Sequence, residues 1–141
     1  RKLLQKVDHN VLAQEILREY PVLLMKISRA TELSEIESAE IFSEVLKFLH
    51  ICISSNERLT PSHSVDLAWH EFILFTKLYS EFCIQHFGRF IHHHPGGEEQ
   101  ENKTAFKKTH YYYKKTFGHA PDPKYWGRVL AEIADESDCG V

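Results

Sequence analysis

The chain has 141 residues, 43% of them hydrophobic and 12% aromatic, enough for one continuous core and too few for a second, so a single domain over 1–141 is expected. A formal charge of -3 removes any general attraction to nucleic acid or to an anionic membrane. No run approaches the ~20 apolar residues of a membrane span, and the basic start from Arg1 to Lys6 lacks the apolar core and cleavage site of a secretory leader, so a cytoplasmic protein is expected.

In chain order the pattern is helical, with no convincing strand run. Asp8 and Asn10 are candidate N-caps for a first helix whose stripe is Val11, Leu12, Ile16 and Leu17; Pro21 breaks it and can open a second over Val22 to Ala30. Ser34 and Glu37 have capping-box spacing, and behind them Ala39, Phe42, Leu46, Leu49 and Ile53 step by three and four. After the polar loop Ser54 to Ser64, the stretch Val65 to Phe87 reads as one long helix. Val65, Trp69, Phe72, Tyr79, Cys83 and Phe87 mark one face, and Leu67, Leu74, Leu78 and Ile84 much of the other. Apolar nearly all round, it is expected to be the buried central helix of an all-α, irregular bundle of about five to seven helices.

Gly88 stops that helix and opens a histidine-rich turn over 88–95. A mobile acidic loop is expected near 96–102. Phe106, His110, Tyr113 and Phe117 predict a helix from Lys103 to Phe117 with His110 facing inward, Gly118 as its stop, and lysines outward. Those lysines with Tyr111 to Tyr113 resemble a single-strand nucleic-acid surface, but an ordinary solvated face fits an acidic domain better. Asp122 and Pro123 read as the cap and first residue of a short turn, followed by a last helix near Val129 to Ala134.

Three cysteines, Cys52, Cys83 and Cys139, are odd in number and lack C-x-x-C spacing, which disfavours a disulfide framework and a zinc ribbon. Cys52 and Cys83 fall within apolar helical patterns; only Cys139 is left available. The ten histidines pose the question of a shared site. Asp66 lies four residues before His70, where its carboxylate can hold the imidazole from behind as the supporting shell of metal sites does, or simply favour the helix dipole. His92, His93 and His94 point to alternate sides of an extended chain. A composite metal site of His70, His92, His93 and Cys139, with His94, His110 and His119 as alternates, suits zinc or, with a carboxylate, iron. Neither H-E-x-x-H nor the Glu-x-x-His pairs of di-iron bundles occurs. The obstacle is reach: on a straight helix His70 lies ~27 Å from Gly88, and four extended residues span only ~14 Å. A bent helix, or convergence on His86, His110 or Cys139 instead, would relieve it. The alternative function is a protein-interaction module whose histidines are structural.

The run VDLAWHEFILFTKLYSEFC, with FGRFIHH behind it and TFG, WG and DCG near the end, resembles the bacterial glycine-rich domain-containing protein-like family and, more distantly, the helical region of plant glycine-rich domain proteins. Where the plant relatives more often have W-H-x-H, Phe72 stands here, and no glycine-rich segment is present. The resemblance implies a helical fold and no known activity.

Overall fold

A computed structural model describes residues 8–94 and 96–127, and the boundaries of its helices follow the capping residues. The Asp8 carboxylate accepts the Asn10 and Val11 amides to open α1 (His9–Glu19). Pro21, with no amide hydrogen to satisfy, is the first residue of α2 (Pro21–Thr31). Ser34 and Glu37 close a reciprocal capping box at the start of α3 (Glu35–Ser55). Ser62 caps α4 (His63–Leu74) and also donates its hydroxyl to the Tyr125 carbonyl at 2.7 Å, which ties the far end of the chain to this cap. α5 (Thr76–Phe87) and α6 (Glu99–Phe117) both end on left-handed glycines, Gly88 and Gly118. Asp122 caps the single turn α7 (Pro123–Trp126). The described residues are 76% helical and contain no strand, so the chain is an all-α bundle with seven described helices. The last helix read near Val129 to Ala134 lies outside the described residues.

The centre is shared by α3, which packs on α1, α2, α4 and α6, and α4, which packs on α2, α3, α5 and α7. Phe42, Leu46, Leu49, Trp69, Phe72 and Tyr79 join one core, as their spacing predicts. Phe72 is its hub, edge-on to Phe42 at 4.9 Å, Tyr79 at 5.0 Å and Phe82 at 5.5 Å. A second buried knot is polar: the Glu44 carboxylate accepts the Tyr113 hydroxyl at 2.7 Å and the Trp126 indole N–H at 2.8 Å, joining α3, α6 and α7. Tyr125 bonds Glu40 beside it.

Three expectations need correction. Val65 to Phe87 is not one helix: Phe75 (φ -84, ψ 71) gives its N–H to the Phe72 carbonyl at 3.1 Å, and the chain restarts as α5. No glycine or proline marks the break, and its cause is tertiary. Trp69 donates its indole N–H to the Tyr79 hydroxyl at 3.1 Å, and that hydroxyl donates to the Ile91 carbonyl at 2.6 Å; a straight helix would hold Trp69 and Tyr79 ~15 Å apart along its axis. Secondly, the opposite side is not covered throughout, since Leu74 and Ile84 are 59% and 54% exposed. Thirdly, the acidic loop near 96–102 is shorter, because Glu99 and Glu101 belong to the first turn of α6, where carboxylates favour the helix dipole.

Candidate functional site

The break at Phe75 sets the course of the histidine turn. With α5 angled away from α4, the residues after Gly88 return across α4, and Ile91 anchors them, its side chain buried and its carbonyl held by Tyr79. After that anchor the imidazoles diverge. His92 is exposed and lies on Phe90, ring centroids 4.7 Å apart, with His94, also exposed, 6.1 Å away. His93 is half-buried, packs on Trp69 at 4.5 Å, and brings Nε2 to 2.7 Å from Asp66 Oδ1. Because a carboxylate only accepts, Nε2 carries the proton, and the lone pair of the neutral ring is on Nδ1.

Asp66 therefore pairs with His93, where the helical spacing pointed to His70. The His70 ring is exposed and stands 6.2 Å from that of His93. So Asp66, His70 and His93 come together, by a bend rather than by a straight helix. The alternates lie elsewhere. His86 rests on Phe82 in α5, its pKa lowered by burial. His110 packs between Phe106 and Trp126, its Nδ1 toward the Phe106 carbonyl at 3.2 Å, and burial lowers its pKa against the pull of backbone carbonyls. His119 is exposed beside Tyr113. Cys139 lies outside the described residues. Among the described residues no three His, Cys, Asp or Glu side chains stand in ready coordinating geometry.

Asp66 and His93 form part of the wall of a cleft of about 550 Å³ between the 56–62 loop and the histidine turn. Its other polar groups include Arg58 and Arg89, and its apolar wall is Trp69 and Phe90. Cys52 lies against the same space, its thiol pushed up to about 12 by burial with the Arg89 charge working against the shift, so it is no nucleophile. Sequence reasoning passed over both arginines. Arg89, between the glycine stop and the histidine run, could have been found by position, whereas nothing in the polar loop singles out Arg58. A second feature missed is the buried pair His9 and His50, Nε2 to Nδ1 3.1 Å, whose partners are 41 residues apart. On α6, Tyr113 is buried and Lys103 and Lys108 pair with Glu99 and Glu57, as on an ordinary solvated helix face. No described helix is long and apolar enough to cross a membrane.

No curated protein and no solved structure matches the chain. A family model described as UCP032817-like matches residues 11–123, from the first helix to the start of α7. This corrects the resemblance drawn from the D-x-x-W-H and F-G-x-x-I-H-H elements, since no glycine-rich domain family is matched. Matched over well beyond half its length, the chain belongs to the UCP032817-like family.

Proposed function

We propose that the domain binds a transition-metal ion, zinc or iron, through Asp66, His70 and His93. The observation that carries the reading is the 2.7 Å between His93 Nε2 and Asp66 Oδ1. Two ligands at right angles on one ion, with bonds of ~2.1 Å, stand ~3.0 Å apart, so an ion that displaces the Nε2 proton, the neutral ring then carrying its proton on Nδ1, needs only a small adjustment. His70, exposed and one helical turn beyond Asp66, completes the set by rotating its side chain toward His93. Two imidazoles and a carboxylate with open positions is the donor set of non-haem iron and is also acceptable to zinc.

A second reading has one observation in its favour: His93 is packed on Trp69 and bonded to Asp66 as a clasp would be. In that case the histidines are structural and the domain is an interaction module. Titration of untagged, chelator-treated protein with Zn(II) and Fe(II) separates the two. One ion per chain is expected, with affinity falling at least about tenfold in His70→Ala and His93→Ala, a loss typical of a missing ligand or its support. His94→Ala should bind as wild type does, and His92→Ala tests the neighbouring ring. Absence of binding by the wild type at micromolar metal removes the metal and leaves the clasp.

A further inference from the structure

The cleft beside this cluster has a charge pattern that the metal reading does not use. Its two carboxylates are both occupied: Glu57 takes the Lys108 ammonium at 3.2 Å and the Tyr112 hydroxyl at 3.4 Å, and Asp66 takes His93. Arg58 and Arg89, by contrast, have no carboxylate within salt-bridge distance among the described residues. Two guanidiniums thus border one concavity without a carboxylate partner among the described residues.

Arg58 is also positioned. Its Nη2 donates to Asn102 Oδ1 at 3.4 Å, and Asn102 in turn donates to the Gly96 carbonyl at 3.2 Å. The guanidinium lies so close over Gly97 that a Cβ there would stand 2.9 Å from Nη2, and Gly97 has φ +94, a conformation other residues rarely adopt. Arg89, exposed, follows the left-handed Gly88 and lines the same cleft as Cys52. The same wall includes the half-buried ring of Phe90 and the small exposed part of Trp69. About 550 Å³ falls within the range of small-molecule sites.

We propose that this cleft binds a small organic anion, a flat apolar body carrying one carboxylate or phosphate group, with Arg58 and Arg89 on the anion and Phe90 against the body. Guanidinium forks match either anion in two parallel hydrogen bonds, and the aromatic wall supplies apolar contact that an inorganic ion cannot use. The proposal stands apart from the metal reading, because neither arginine belongs to the Asp66, His70 and His93 set.

The test is calorimetric titration of the chelator-treated full chain with four probes: phenyl phosphate, benzoate, benzamide and inorganic phosphate. Phenyl phosphate and benzoate should bind one per chain, their ratio telling which anion is preferred. Benzamide, which keeps the ring without the charge, and inorganic phosphate, which keeps the charge without the ring, should bind at least about tenfold more weakly. The double variant Arg58→Gln, Arg89→Gln should lose about ten- to a hundredfold for phenyl phosphate, the effect of removing charge-assisted hydrogen bonds, with its fold checked by circular dichroism. Arg89→Lys should retain part of the affinity, and Lys115→Gln, in the separate cavity beside His9 and His50, all of it. Equal binding of benzamide, wild-type affinity in the double arginine variant, or no binding of any probe at millimolar concentration overturns the proposal. So does anion binding that requires added Zn(II) and survives loss of the arginines, since the metal would then be the anion's partner.

Discussion

His9 and His50 meet between α1 and α3 with ring nitrogens 3.1 Å apart and both rings edge-on to Phe117. One nitrogen must donate and the other accept, so the bond needs at least one neutral ring, and burial disfavours the charge on either. Burial takes the His9 pKa from 6.5 to about 4, the nearby His50 and Lys47 adding to the shift and Asp8 opposing it; burial lowers His50 as well. In the unfolded chain His9 takes its proton near pH 6.5, whereas in the fold it does so only near 4. Across that window the unfolded state binds more protons, so stability present above pH 6.5 is lost as pH falls toward 4. A shift of this size corresponds to about 3 kcal/mol at about 1.36 per unit. The pair borders a surface cavity that also carries Tyr112 and Lys115, and screening there brings the figure to about 2 kcal/mol. The assay is urea unfolding at several pH values for wild type and His9→Gln, whose amide can still bond His50. His86 and His110 shift in the same direction, so the difference between the two proteins is the readout. Wild type should lose about 2 kcal/mol more than the variant between neutral pH and pH ~4.5. Parallel pH profiles would refute the reasoning.

Phe72, fully buried among Phe42, Tyr79 and Phe82, should cost about 3 to 5 kcal/mol on truncation to alanine, measured by chemical denaturation; a loss below about 1 kcal/mol would mean the site collapses around it. Glu44→Ala strands two buried donors, the Tyr113 hydroxyl and the Trp126 indole N–H, and should cost about 2 to 4 kcal/mol, of which Tyr113→Phe in the same chain should restore part. Strict additivity of the two substitutions would show that the hydroxyl and the carboxylate are not coupled.

The features readable in the sequence were those whose cause is local. Asp8, Ser34, Ser62 and Asp122 cap helices because a short polar side chain reaches amides two or three residues ahead, and the capping box at Ser34 and Glu37 is written in four residues. Stripe periodicity likewise put Phe42, Leu46, Leu49, Trp69, Phe72 and Tyr79 into one core. It failed where partners are distant. Leu74 and Ile84 keep helical spacing yet face solvent, because after the bend at Phe75 the described elements leave them uncovered. His9 and His50 carry no local sign of each other.

The site shows the same division within one carboxylate. For Asp66 local spacing can offer only imidazoles of its own helix, such as His70 four residues on, and on a straight helix His93 is out of range. The contact that forms, across 27 residues, depends on a hydrogen-bond chain from Trp69 through the Tyr79 hydroxyl to the Ile91 carbonyl. That chain bends the helix and pins the returning turn at once, and its middle member has no other role that the sequence distinguishes from packing. Burial pushes the Tyr79 phenol pKa up, so its proton stays in place at any physiological pH and the donation to Ile91 is permanent. Arg89 and His93 flank Ile91 in the returning turn, so the positions of both follow from one phenolic hydroxyl that is bonded to neither of them.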